Sequence, residues 1–476
     1  AWRLSEEPFM NGTKDWLSNL KLRLSYGTSG SDNISSNLWR ETWSSLGSGS
    51  NHTPINGELG SFYRPDGLLA NSKLKWETTI SRNFGIDFGF LNNRVNGSLE
   101  VYWNTTKDLL MAVPVDNTTG YSYQFQNFGK TSNRGIELSV NVDVINKGDF
   151  RFNVGAIYNY NRNKLDELPN ADQYLYSSYW GSSSLVPTND YMFVEGKAIG
   201  LVRGFISEGY YTVDDFNYTN GQYVLKEGVP DITKALTATY MHPYDLPAGQ
   251  TAFPGAAKFR DVDESGTVDL DDATCLGEVM PRHTGSFQLN FNYKNFDLST
   301  NFNWTAGGKV YNVAAMINAS GQEFDGIGAQ RASWVADAFK VYNVNAAGDL
   351  YAVTNPDELR ALNANAKYHL PYHQSGITSS EWLENGSYLR LQTLTLGYTL
   401  PKNWLTKVHV DKIRLYLTAT NLFTITGYSG IDPEVNANPT GQSGFYSDLR
   451  IFPTLNMDFG TYPRARTFTF GANITF

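Results

Sequence analysis

Apolar and polar residues alternate along this chain from one end to the other, the spacing of β-strands that keep one greasy and one wet face. In "NLKLRLSYG", Leu20, Leu22, Leu24 and Tyr26 share one face, and Asn19, Lys21, Arg23 and Ser25 the other. "NFGIDFGF" places Phe84, Ile86, Phe88 and Phe90 together. The turn "LNNR" then leads into "VNGSLEVYW", where Val95, Leu99, Val101 and Trp103 match them. This hairpin with one apolar face returns twice, as "GIELSVNVDVI" and "FRFNVGAIYNYN" around "NKGD", and as "SFQLNFNY" and "FDLSTNFNW" around "KN". "LTLGYTL", "KIRLYLTATNLF" and the closing "TFTFGANITF" complete the series, with Phe468, Phe470, Ala472, Ile474 and Phe476 on the apolar side of the last strand.

Between the tight turns lie long polar stretches, residues 29–72, 105–131, 162–283, 306–386 and 424–464. Loops of that length are uncommon in compact soluble domains. Short turns at one end, long loops at the other and alternating strands predict an all-β fold, a transmembrane antiparallel β-barrel with periplasmic turns and extracellular loops. About ten strands are expected, or about twelve if the region 199–212, which "AIGLVRGFISEGYY" (198–211) nearly fills, supplies a further pair within the 162–283 excursion. Aromatic residues gather at strand ends, as in the girdles of membrane barrels. Arg82 breaks the pattern by sharing the apolar face with Ile80 and Phe84. Mid-bilayer that position costs about 2 to 4 kcal/mol, so Arg82 is expected at the outer interface, within reach of lipid headgroup phosphates.

Composition narrows the class. The chain has 43 Gly, 29 Tyr and 27 Phe, a mix of turn and strand formers. It contains no apolar run near the ~18 to 20 residues of a membrane helix, which leaves strands as the only route across a bilayer. A net charge of -9 argues against nucleic acid as a partner. The sole cysteine, Cys275, excludes an internal disulfide and is expected to be a free buried thiol. "AWRLSEEPFM" has neither the basic start nor the apolar core of a signal peptide, so the chain reads as mature, truncated or a fragment.

The sharpest local constellation is "DVDESGTVDLDD" (261–272). Asp261, Asp263, Ser265, Gly266, the Thr267 carbonyl, Asp269 and Asp272 fall at positions 1, 3, 5, 6, 7, 9 and 12 of a calcium loop. A hard cation needs converging oxygens, and glycine permits the sharp turn between them. Asp272 stands where a bidentate Glu is usual, a shorter arm that weakens calcium or admits magnesium. An ordinary acidic turn is the alternative. The expected role of the ion is to stiffen a long loop, not catalysis.

Other candidates are weaker. His369 and His373 flank Pro371 without metal-ligand spacing, and "GGK" (307–309) lacks the rest of a phosphate loop. No nucleophile, base and orienting group come together in the sequence, so an enzyme is not expected. Tyr176, Tyr179 and Trp180, in "YLYSSYW", are candidate platforms for a sugar or peptide substrate, with packing against a neighbouring loop or a lid as the competing role.

Several phrases, in order and spread over nearly the whole chain, carry a family resemblance. "WRLSEEPFM", "WLSNLKLRLSYGTSG", "LKWETTISRNFGIDFGFLNNRVNGSLEVYWNTTKDLL", "NRGIELSVN", "YLRLQTLTLGYTLP", "RLYLTATNLFTITGYSGIDPE" and "YPRARTFTFGANITF" closely resemble the C-terminal half of SusC-like and RagA-like TonB-dependent transporters of Bacteroidetes. The resemblance implies a 22-stranded outer-membrane barrel closed by a plug and energised through a TonB box, of which residues 1–476 are the C-terminal barrel part. It implies import of an oligosaccharide or peptide beneath a SusD-like surface lipoprotein, a recurrent acidic extracellular loop, and a terminal aromatic that barrel-assembly machinery reads. Neither plug nor TonB box is recognisable here, so this segment alone is expected neither to close nor to transport, and its last strand should pair with a first strand outside the chain. A passive outer-membrane porin and a soluble β-rich adhesin are the alternatives, separated by a plug-encoding upstream sequence and by solubility without detergent.

Overall fold

The computed structural model describes residues 1–32, 38–41, 43–45, 54–55, 58–59, 63–65, 68–121, 123–168, 173–178, 185–237, 242–320, 332–371, 376–405, 410–435 and 455–476. Eleven strands form one antiparallel sheet: β1 (Trp2–Arg3), β2 (Leu17–Ser31), β3 (Glu77–Phe90), β4 (Val95–Lys107), β5 (Lys130–Lys147), β6 (Phe150–Glu167), β7 (His283–Tyr293), β8 (Phe296–Ala306), β9 (Tyr388–Thr399), β10 (Lys412–Thr426) and β11 (Thr467–Thr475). Each pairs only with its neighbours in the chain, so the sheet is a plain meander from β1 at one edge to β11 at the other. Apart from the two-residue β1, the strands are 9 to 18 residues long, enough to cross a bilayer when tilted.

The turns at one end are tight because their residues accept left-handed backbone. Leu91, Asn92 and Asn93 have φ of 54°, 58° and 60°, Gly148 has 58° and Lys294 has 53°. Cross-strand register keeps each face uniform. Leu22, Ile86, Leu99 and Leu138 are register partners in turn along one course of the apolar side, and Val140, Ala156, Phe287, Phe302 and Leu391 along the next. Phe152 stacks on Phe291 at 4.3 Å and Phe287 on Phe302 at 4.6 Å between ring centroids. At the tight-turn end Trp16 stacks on Phe90 at 6.1 Å and Phe296 lies 4.6 Å from Tyr398. At the loop end Tyr158 stacks on Trp304 at 6.1 Å, across Gly285, where a Cβ would stand 2.7 Å from the indole. These are the two aromatic belts expected of a membrane band.

In the last strand Phe468, Phe470, Ala472 and Ile474 register with Ala419, Leu417, Leu415 and Ile413 on the same apolar face, and Phe476 follows just past the strand. Residues 199–212 do not join the large sheet. Leu201–Gly204 belongs to a four-stranded sheet with Gln173–Tyr176, Tyr191–Val194 and Thr274–Glu278, and Ser207–Tyr210 pairs with Ala257–Phe259. Too few consecutive alternating residues separate Gly204, Gly209 and the turns around them for a spanning strand.

The packed core lies above the sheet, not inside it. Phe205, Tyr211, Phe216, Phe253, Phe259 and Phe339 form one buried cluster, drawn from residues 205–377. Met111, Leu165, Tyr191, Tyr311, Trp334 and Met457 belong to a second, which fastens four different loop excursions together. The long loops thus fold into a cap with its own hydrophobic interior. Cys275, on a cap strand, is exposed, contrary to the buried thiol expected, because it sits next to a register shift in the pairing of Leu201–Gly204 with Thr274–Glu278.

Candidate functional site

The polar side of the sheet is bound by ion pairs that run between strands. Arg23 on β2 reaches Asp87 on β3 at 2.8 Å and Glu100 on β4 at 2.5 Å, while Lys21 lies 3.4 Å from Asp87. Asn83 donates to the second oxygen of Glu100 at 3.0 Å. Arg414 on β10 makes a two-pronged pair with Asp297 on β8 at 2.9 and 2.5 Å. Such a surface is wetted and charged, the opposite of the face carrying Phe287 and Phe302.

Where the polar face meets the cap, Arg390 on β9 is nearly enclosed, with 3% of its side chain exposed. Its Nε donates to Thr424 Oγ1 at 3.0 Å, and its two terminal nitrogens donate to Glu434 Oε2 at 2.8 Å and Asp432 Oδ1 at 2.5 Å. Arg464 shares Glu434 at 2.6 Å. The segment after β10 is thereby clamped back onto β9. Sequence reasoning missed this clamp; its only signal was the two acids of "IDPE", separated by a proline that keeps them extended.

The acidic loop lies in the cap between the Ala257–Phe259 and Thr274–Glu278 strands. Carboxylate oxygens of Asp261, Asp263 and Asp272 lie within 4.8 Å of one another. Gly266, at φ 88°, makes the turn that allows it. Asp272 is fully buried, and its carboxylate accepts backbone N–H groups from Val262 at 2.5 Å, Asp263 at 3.3 Å and Asp269 at 2.8 Å. Asp261 accepts from Ser265 at 3.1 Å and Gly266 at 2.7 Å. The Ser265 backbone N–H, with its side chain, holds the Asp263 carboxyl below the usual range. Of the other predicted ligands, Ser265 Oγ donates to the Thr267 carbonyl at 3.0 Å, and Asp269 accepts from the Asp271 N–H at 2.8 Å as a turn cap. The carboxylates of Asp261, Asp263 and Asp272 therefore converge, and all six predicted ligand residues also make hydrogen bonds within the loop. An all-oxygen set with three carboxylates fits a hard divalent cation.

Tyr176 is not an open platform. It is 5% exposed and stacks on Tyr191 and Phe193 at 5.5 and 4.8 Å, because its strand pairs inside the cap with Tyr191–Val194. Burial pushes its hydroxyl pKa up. Tyr179 and Trp180 lie outside the described residues, as does His373. His369 is buried under Trp334 in the cap, with Nδ1 2.8 Å from the Leu370 carbonyl and Nε2 3.9 Å from Glu381. Burial lowers His369 to about 4 and raises Glu381 to about 7.

Comparison with known proteins places this geometry in context. The family described as "TonB dependent receptor-like, beta-barrel" matches residues 12–422. TonB-dependent receptor P3 of Formosa agariphila is 29% identical over the whole of this chain and 41% of its own length. TonB-dependent receptor SusC of Bacteroides thetaiotaomicron is 27% identical over the whole of this chain and 39% of its own length. A chain of the RagAB peptide transporter superposes over all of this chain and 42% of its own length with a TM-score of 0.68 at 21% identity, a likeness of fold. The chain spans about two fifths of the length of the curated relatives it matches.

Proposed function

On the premise that this chain belongs to the TonB dependent receptor-like β-barrel family, we propose that it supplies part of the barrel and the extracellular cap of a TonB-dependent importer, which takes up an oligosaccharide or a peptide with a SusD-like surface lipoprotein. The family is one of outer-membrane barrels and not of enzymes. The observation that carries the reading is the match over residues 12–422, which takes in most of the two-faced sheet and most of the cap. The charged inner face suits a solute path, since Arg23, Asp87, Glu100, Asp297 and Arg414 would keep it hydrated. That the RagAB relative is a peptide transporter supports a peptide as one cargo class. A barrel of this family is plugged, so a passive pore fits less well.

The acidic loop serves this reading as a divalent-cation clasp held by Asp261, Asp263 and Asp272, with Ser265, Thr267 and Asp269 completing its frame. Calcium is the expected ion, and its chemistry there is charge neutralisation that stiffens the cap.

Deleting the gene for the complete receptor should abolish growth on the cargo, and deleting TonB should do the same. Uptake that persists without TonB overturns active import. Affinity purification of the receptor should bring down a surface lipoprotein. Calcium titration of the receptor should raise cap melting, and Asp272→Asn should lose most of that gain; a calcium-indifferent cap makes the loop an acidic turn.

A further inference from the structure

Across the apolar face, at the loop end, one row of residues breaks the lipid-compatible pattern. It runs Tyr26 on β2, Arg82 on β3, Trp103 on β4, Arg134 on β5 and Arg162 on β6. Tyr26 is register partner to Arg82, Trp103 to Arg134, and Arg134 to Arg162. Arg82 lies next to Trp103 between the Ile80–Thr105 and Asn83–Tyr102 pairs. The Arg82 and Arg134 guanidiniums lie 5.4 and 4.4 Å from the Trp103 ring centre. Arg134 and Arg162 are exposed, and Trp103 is 48% exposed. Sequence reasoning foresaw Arg82 alone, because "TSNRG" and "NYNRN" read as strand ends; β5 and β6 continue past them to Lys130 and Glu167.

None of the three arginines pairs with a carboxylate among the described residues. Arg82 has only a 3.3 Å hydrogen bond to Thr105. Two acids on the rows above are engaged, Glu167 with Lys130 at 2.8 Å and Asp166 with Lys164 at 3.5 Å. Two arginines directly opposite on neighbouring strands repel each other, here in a chain of net charge -9. Arg82 precedes Phe90 of the lower aromatic belt by about 26 Å of strand at ~3.3 Å per residue, about 20 Å of height at a ~40° tilt. The row therefore lies at the outer edge of the membrane band, level with the headgroups.

We propose that Arg82 and Arg134, which flank Trp103, together with Arg162 beside Arg134, bind the phosphate of an outer-leaflet membrane lipid on the outside of the barrel. The inference rests on the outer-membrane reading above. Guanidinium forks match phosphate oxygens two by two, and the indole holds two of them against the acyl boundary. One polyanionic headgroup relieves the repulsion of all three.

The test uses the complete receptor in detergent, delipidated and then offered phosphorylated lipid A or its dephosphorylated form, with retention read by native mass spectrometry. The wild type should retain the phosphorylated lipid at least tenfold over the dephosphorylated one. Arg82→Gln, Arg134→Gln and Arg162→Gln together should remove that preference, while the heat-modifiable mobility of the barrel and cargo uptake are unchanged. If the triple variant does not assemble, Arg134→Gln alone should weaken retention several-fold and Arg134→Lys restore part of it. Equal retention of the two lipids, or by variant and wild type, overturns the proposal. Displacement by inorganic phosphate alone at millimolar concentration also overturns it, in favour of a soluble anion. Loss of uptake or of heat-modifiability in the wild type would instead overturn the receptor reading.

Discussion

Phe468 and Phe470 of β11 are 64% and 74% exposed, while Tyr191 and Tyr211 of the cap are fully buried. The two regions are built from similarly aromatic and polar stretches, yet one turns its apolar residues outward and the other folds them in. Among the described residues neither large core cluster covers the greasy face of the sheet, which matches a hydrocarbon solvent, so its stability presumes a bilayer. The cap carries its own core and presumes water. The ion pairs that join strands mid-sheet, those of Arg23 and Arg414, lie on the inner face, and at the junction Arg390 is buried among Thr424, Asp432 and Glu434.

The contrast can be broken by substitutions that act on one region only. Tyr211→Ala removes a fully buried ring and the hydrogen bond it donates to the Pro230 carbonyl. It should cost the cap about 3 to 5 kcal/mol and appear as protease cleavage within residues 205–377, with the heat-modifiable barrel intact. A barrel that melts with the cap would show that the two are one cooperative unit. Leu138→Arg, mid-face on β5, should cost about 2 to 4 kcal/mol in bilayers, seen as a lower urea midpoint in lipid. No loss would mean that this face does not meet hydrocarbon.

The smallest effect is a pH response confined to the cap. Glu381 is raised from 4.5 to about 7, so its share of stability is complete below pH 4.5 and is lost as pH rises to 7. His369 is lowered from 6.5 to about 4, so its share is complete above pH 6.5 and is lost as pH falls towards 4. Glu381→Gln should therefore slow amide exchange in residues 376–385 at pH 7.5, by about 1 to 2 kcal/mol of opening energy, and match the wild type at pH 4.5. An equal gain at both pH values would assign the effect to packing.

Legibility in the sequence follows the same line. The sheet is readable because a strand in lipid repeats with period two over many residues, so Leu20 to Tyr26 or Phe84 to Phe90 identify a strand by themselves. The cap is not, because its strands are two to five residues long and their partners are remote; Leu185–Val186 pairs with Gly376–Ile377. Tyr176 looked available because nothing local announces Tyr191 and Phe193 above it. In the acidic loop the spacing brought Asp261, Asp263 and Asp272 together, while the local turn hydrogen bonds that hold them, and those of Ser265 and Asp269, could not be read from it. The strand extensions that carry Arg134 and Arg162 were hidden because polar residues on both faces erase the alternation near the rim.

The pairing of β6 with β7 has a consequence for how such a protein can change over generations. These strands are bonded side by side from Phe150–Tyr293 to Tyr160–His283, although residues 168–282 intervene between them. Before it folds, closing such an excursion becomes harder only with the logarithm of its length, about 0.6 kcal/mol for each doubling. Inserts can thus grow, shrink or be exchanged between lineages while the register beneath them stays fixed. A new excursion can be tried without renegotiating the wall that supports it.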